Sequence, residues 1–240
     1  MAKNKPLKKS DLATATQGNH LIEASYRMSV PAKRCMLMLL SRIHPGQKDV
    51  SESIRIEAAD YAKKTGVSFD QAYKDIKNGV RELRRTNIVI KDRNSSITTE
   101  CMVAGTMKYH TNQGWLETRF TPEIGPYIHN LVKQGYTTIA VDEALKFSGF
   151  YTFRFYELLM QFRLSKERYI TIDRIREVFQ IDSKQYSRWG DFKRRVIEPS
   201  IKEIEDKTEY SVDWDIIKTG RTVTSLMFIF EKDDQNDLFK

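Results

Sequence analysis

One order of segments occurs twice in this chain, and no other property narrows the possible folds as far. A helical stretch leads into a basic helix, and the basic helix leads into two short strands joined by a polar turn. In the first copy the basic helix opens as Ser68-Phe69-Asp70-Gln71-Ala72-Tyr73-Lys74-Asp75-Ile76-Lys77. In the second it opens as Asp191-Phe192-Lys193-Arg194-Arg195-Val196-Ile197-Glu198-Pro199. A helix followed by a hairpin, with cations on the exposed face, is how a winged helix-turn-helix meets DNA. The expected class is therefore α+β, with two tandem winged helix-turn-helix domains placed to reach two consecutive major grooves.

Local signals fill in this plan. Residues 1–18 are polar and read as a flexible basic arm. A short helix is expected over His20–Met28. Ser29 then caps a second helix, Ala32–Ile43, with Pro31 in its first turn. That helix carries Cys35, Met36, Met38, Leu39, Leu40 and Ile43 around most of its circumference and should lie at the centre of the first domain. Ser53–Ile56 reads as a strand and Glu57–Thr65 as a helix. Gly66 serves as its left-handed C-terminal residue and Ser68 as the next N-cap. From Ser68 to about Arg85, Ala72, Ile76, Val80 and Leu83 form one buried stripe. Asn87–Lys91, Ile97–Val103 and Trp115–Phe120 read as strands, and a helix is expected from Thr121 to about Lys133.

Gln134-Gly135-Tyr136 marks the expected junction, giving a domain over 19–135 and a second over 136–240. The aromatic helix 147–164 (Phe150, Phe153, Tyr156, Leu159, Phe162) is expected to be the core of the second domain. Ile170–Ile172 should be a strand and Asp173–Phe179 a helix. The basic helix Asp191–Lys207 buries Phe192, Val196, Ile197, Ile201 and Ile204, and Pro199 is expected to bend it. Tyr210–Ile217 and Thr222–Phe230 alternate as strands around the basic turn Lys218-Thr219-Gly220-Arg221.

Charge agrees with a polyanionic partner: the formal net charge is +8. Lys and Arg outnumber Asp and Glu 22 to 13 over residues 1–135, against 18 to 19 over 136–240. In the second half, positive charge must therefore be local, as in the Lys193–Arg195 run. The two cysteines, Cys35 and Cys101, have no partner at metal-ligand spacing and suit a reducing compartment. No apolar run is long enough to span a membrane. There is no Gly-rich phosphate loop, and His20, His44, His110 and His129 are scattered, so neither an enzyme nor a cofactor is expected. Tyr109 beside His110 is too little for a nicking nuclease, which needs clustered histidines.

Three stretches resemble the replication initiator proteins of iteron-containing plasmids, a family of tandem winged helices. They are residues 19–43, with Leu21-Ile22-Glu23-Ala24-Ser25-Tyr26 and Pro31-Ala32-Lys33-Arg34; Phe155-Tyr156-Glu157-Leu158-Leu159-Met160-Gln161-Phe162-Arg163; and Asp191–Pro199. They stand in the family's order and span about residues 19–231. The resemblance implies a cytoplasmic, plasmid-encoded bacterial protein. As a monomer it would bind repeated origin sequences in double-stranded DNA and recruit host replication proteins. As a homodimer in equilibrium with the monomer, it would bind an inverted repeat and repress its own gene. The first winged helix would dimerise and touch DNA, and the second would dominate sequence reading. On this resemblance Lys193, Arg194 and Arg195 are the readers, with Ser187 and Arg188 on phosphates. Ser68, Gln71, Lys74 and Lys77 take the equivalent helix of the first domain. The alternative is a winged-helix transcriptional repressor with no replication role, or a protein-interaction module.

Arg194 and Arg195 point about 100° apart on a helix and cannot share a base step. Arg194 is expected to read a base, and Arg195 to reach a phosphate or an acid such as Asp191 or Glu198. Lys91, Arg93, Lys218 and Arg221 at the wing tips are expected on phosphates, adding salt dependence rather than sequence information. Arg84 and Arg85 suit either a phosphate or a plain surface role. Tyr73 suits either a thymine methyl or the edge of the core. Ile97, Met102 and Val103 are the expected dimer surface.

Overall fold

Residues 14–18, polar in sequence, are folded, with Thr16 and Gln17 buried. The computed structural model describes residues 14–43, 50, 52–92, 96–110, 113–129, 131 and 135–232. Thr14–Gly18 forms a strand (β1) that pairs antiparallel with Tyr136–Ala140. The flexible-arm reading is thus corrected over 14–18; residues 1–13 lie outside the described residues. Thr16 and Thr138 share a hydroxyl contact of 3.1 Å, and Gln17 donates to buried Glu157 at 2.7 Å. The helix expected over His20–Met28 is a single turn (α1, Asn19–Ile22). It stops because Ser25 exchanges two backbone hydrogen bonds with Val89 (2.8 and 3.0 Å), a tertiary pairing that overrides local preference.

Ser29 caps α2 (Val30–Leu40), its hydroxyl accepting from the Ala32 amide at 3.3 Å, with Pro31 in the first turn. As expected of a helix apolar almost all round, α2 is buried from Ala32 to Leu40. β2 (Ile54–Glu57) leads into α3 (Ala58–Thr65). Gly66 closes α3 at φ 77°, a region L side chains rarely adopt. Ser68 then caps α4 (Phe69–Leu83) by accepting from the Gln71 amide. α4 crosses α2 at Gly79, where a Cβ would lie 2.8 Å from the Pro31 carbonyl oxygen and 2.9 Å from Cys35 Sγ. Gly79→Ala is therefore expected to destabilise the protein by about 1–3 kcal/mol in urea unfolding, despite alanine's better helix propensity. A variant as stable as the parent would show that the helices can part without cost.

β3 (Asn87–Lys91) and β4 (Thr98–Met102) form a hairpin. A strand the sequence pattern did not separate follows at once, β5 (Ala104–His110). It pairs with β6 (Trp115–Phe120), whose other edge holds β2, in the order β2-β6-β5. The helix expected after Thr121 is a 3₁₀ segment, Pro122–Tyr127. Pro126 has no N–H to continue an α-helical ladder and leaves only the tighter turn.

The strand β7 (Tyr136–Ala140) lies where the domain junction was expected, yet returns to β1. The one-turn α5 (Val141–Ala144) and the helix α6 (Phe150–Met160) follow. α6 is shared rather than being the core of the second half alone. Phe155 meets Phe179 and Phe228 at ring-centroid distances of 4.9 and 5.8 Å. Arg154 and Glu157, both fully buried, meet the first half. Glu157 accepts from Lys33 Nζ (2.6 Å), Arg154 Nη1 (2.6 Å), Gln17 and the Tyr26 hydroxyl (3.3 Å). Arg154 also donates to the Ile22 and Ala24 carbonyls. Burial alone would raise the Glu157 carboxyl, but the two cations outweigh it and hold it below the ordinary carboxylate range. Burial pushes Lys33 down to about 8, against the pull of Glu157.

The second half is built from β8 (Glu167–Thr171), α7 (Ile172–Phe179), α8 (Trp189–Phe192), α9 (Glu198–Lys207), β9 (Tyr210–Thr219) and β10 (Thr222–Lys232). The sheet order is β8-β10-β9. α8 and α9 are one rod joined by a π-helical turn, Lys193–Ile197. Pro199 cannot donate to the Arg195 carbonyl and its ring crowds it, so the rod widens just before the proline where a bend was expected. The halves are tied by Glu23, whose carboxylate takes Arg168 at 2.5 Å and Arg174 at 2.9 Å. Burial raises the Glu23 carboxyl, and the two guanidiniums more than reverse it.

Candidate nucleic-acid interface

The α8–α9 rod begins where the Arg188 carbonyl accepts from the Asp191 and Phe192 amides, both at 3.1 Å. Phe192, Val196 and Ile197 are buried beneath it, which turns Arg194 and Arg195 outward. The loop before the rod is held by Arg176, a residue the sequence analysis did not single out. Its guanidinium donates to the Asp182, Gln185 and Tyr186 carbonyls and lies 4.8 Å over the Phe192 ring. No periodicity or spacing marks an arginine whose partners are backbone carbonyls six to ten residues away.

The two arginines differ from expectation in one respect. Arg194, its side chain 70% exposed, is the one that reaches an acid: Asp191 Oδ1 at 2.7 Å. Arg195 is exposed and forms no ion pair among the described residues. Lys193 sits 3.3 Å from Glu198 and 5.6 Å over the Trp214 ring, between rod and hairpin. At the hairpin tip Gly220 takes φ 62° at the first central position of a two-residue turn, which leaves Lys218 and Arg221 exposed on either side. Ser187, Trp189, Lys218 and Arg221 line one groove of about 580 Å³ between rod and hairpin. Arg188 is exposed at the start of the rod.

In the first half, most candidates are already engaged. The Ser68 hydroxyl caps its helix. Gln71 gives its amide to Asp75 at 2.6 Å, and Asp75 also accepts from the Tyr61 hydroxyl. Lys77 stands 4.5 Å over the Tyr109 ring. Lys74 is exposed and in no ion pair among the described residues. Arg93 lies outside the described residues. Lys91, an expected phosphate contact, instead reaches Glu177 of the second half at 2.6 Å, and Arg84, open to a phosphate or a plain surface role, donates to the Gly105 carbonyl. Tyr73 is half-buried against the core. Of the expected dimer residues, Ile97 and Met102 are exposed, but Val103 is a core residue, because the strand breaks there and the next one begins. Among the described residues no three His, Cys, Asp or Glu side chains form a group fit for a metal, and no helix is long and apolar enough to cross a membrane.

Two helix–hairpin units, each with a helix running into a β-hairpin, define a tandem winged-helix protein. The chain belongs to the Initiator Replication protein family. Its first winged-helix model (Initiator Replication protein, WH1) matches residues 14–160, and its second (Initiator Rep protein, WH2) matches residues 171–230. The first match takes in α6, as the Glu157 network requires. The chain is similar to the PI protein of Escherichia coli, at 26% identity over 260 aligned positions, with 95% of this chain and 84% of that one covered. An uncharacterized 27.6 kDa protein of Escherichia coli is 28% identical over 228 residues, 88% of this chain and 92% of that one. Among solved structures, the Pi initiator protein in complex with iteron DNA has a TM-score of 0.79 at 25% identity, covering 93% of this chain and 99% of that chain.

Proposed function

We propose that this chain starts plasmid replication by binding repeated origin sequences, iterons, in double-stranded DNA. The observation that carries the reading is the basic rod and hairpin tip framing one groove, in a chain that follows nearly end to end a fold solved on iteron DNA. Arg194 reads a base edge from the position Asp191 gives it. Arg195, Ser187, Arg188, Lys218 and Arg221 meet phosphates, and Lys193 braces the rod against the hairpin. In the first winged helix, Lys74 and Arg93 supply cations, while Ser68, Gln71 and Lys77 shape the helix that carries Lys74. The units divide after α6. The exposed Ile97 and Met102 at the edge strand β4 support a homodimer in exchange with the monomer, which would repress the chain's own gene in the bacterial cytoplasm. Host replication proteins would join at the opened origin.

The experiment is a footprint across the DNA flanking the gene at two salt concentrations. Evenly spaced protection of direct repeats, about two helical turns per repeat, is the expected result. Protection of a lone inverted repeat would replace the initiator reading with a repressor. The double variant Lys218→Gln/Arg221→Gln is expected to reduce the slope of log affinity against log salt by about 2 without changing which repeats are protected.

A further inference from the structure

We infer that Phe69 gives the first winged helix its sequence reading, by packing against the C5 methyl of a thymine in the major groove. The inference rests on the proposed DNA-binding function. Phe69 is the first residue of α4 and its ring is 53% exposed. The N-terminal residues of a recognition helix are the ones that reach base edges. The ring has a fixed seat. Gly114, at φ 66° in the turn before β6, would place a Cβ 2.6 Å from Phe69 Cζ, so only a glycine lets the ring lie against that turn. The far end of the ring, Cζ and both Cε atoms, lies against Gly114, and about half of the residue's surface remains exposed.

Of the polar candidates on the same helix, Lys74 is exposed and suits a phosphate, and the others are engaged. Gln71 holds Asp75, Ser68 holds the helix N-terminus, and Lys77 covers Tyr109. Tyr73, one turn further on, is half-buried against the core. Asp70, the next residue of the helix, is exposed, and its carboxylate disfavours a phosphate at the start of α4. Among the groups that base pairs present in the major groove, the thymine methyl is the apolar one.

Deoxyuridine keeps every hydrogen-bonding group of thymine and lacks the methyl. Each thymine of a protected repeat is replaced by it in turn, and affinity is measured for the parent, Phe69→Ala and Phe69→Leu. For the parent, one thymine in the half covered by the first winged helix is expected to show a loss of about four-fold, the effect of one buried methyl. In Phe69→Ala that same replacement is expected to have no effect, so the two changes are non-additive. Phe69→Leu, which keeps an apolar side chain, is expected to restore part of the discrimination. Should Phe69→Ala weaken thymine and deoxyuridine sites equally at every position, the ring reads no methyl and the inference fails. Equal behaviour on DNA with altered self-association in sedimentation would assign the ring to a protein interface and overturn it as well. A parent that protects no repeat would overturn the functional reading itself. A failure confined to the deoxyuridine comparison overturns only this inference.

Discussion

Replacing Glu157 by glutamine is expected to destabilise the protein by about 3–5 kcal/mol, the usual cost of removing one partner from a buried ion network. The side chain keeps its size, so the loss is electrostatic rather than steric. Lys33 and Arg154, both fully buried, would be left without a counter-charge, and Tyr26 and Gln17 would lose a charged acceptor. The affected groups lie on β1, α2 and α6 and in the segment after α1, so one change loosens the core of the first winged helix and the helix it shares with the second. Urea unfolding checks the magnitude, and acid unfolding checks the cause. The Glu157 carboxyl is held below its ordinary 4.5 in the folded chain. Its stabilisation is fully present above that value and is lost as the pH falls through the lower, folded one. The glutamine variant should therefore lose less stability over that acid range than the parent. A variant that matches the parent in both experiments would mean that the network is neutral to folding.

Arg194→Ala is expected to weaken sequence-specific binding while leaving the unfolding midpoint unchanged, since the side chain is exposed and its one ion pair is at the surface. A bidentate arginine–guanine contact contributes about 1–3 kcal/mol of discrimination. The distinction between repeat and unrelated DNA should accordingly shrink by roughly 5- to 150-fold. Asp191 is the reason to place Arg194 rather than Arg195 on a base: a carboxylate at 2.7 Å orients the guanidinium and disfavours a phosphate at that spot. Arg195→Ala is the matched comparison, expected to weaken all DNA alike and to lower the salt slope by about 1. If Arg194→Ala still distinguishes repeats as well as the parent, the base-reading assignment of this residue is wrong.

Much of the local structure was legible because it is signalled by short-range chemistry. Ser29, Ser68 and Gly66 mark helix ends by groups within four residues of themselves, and each does so in the folded chain. The stripe Ala72, Ile76, Val80 and Leu83 is buried as its spacing required. The second hairpin was readable from alternation and from a turn with glycine where a positive φ is needed. The candidate interface was legible to the level of which helix and which hairpin tip face outward. It was not legible which cation was free. Lys91, Arg84, Lys77 and Gln71 looked like surface groups, and their partners are 4 to 86 residues distant in sequence.

What the sequence by itself determined is the set of elements, their ends and their repetition, because capping, periodicity and turn chemistry act over a few residues. It also placed the chain among replication initiators, through residues that lie in register from one end to the other. Only the tertiary structure decided how the two halves are joined. Thr14–Gly18 is polar and looks unstructured until Tyr136–Ala140 offers it a strand edge and Glu157 takes its glutamine. α6 is apolar around most of its circumference, which points to burial but not to what buries Arg154 and Glu157. Phe69 was one apolar residue among many until Gly114 was found beneath it. In each case the deciding partner is far along the chain, and a pairing of that kind leaves no trace in local spacing.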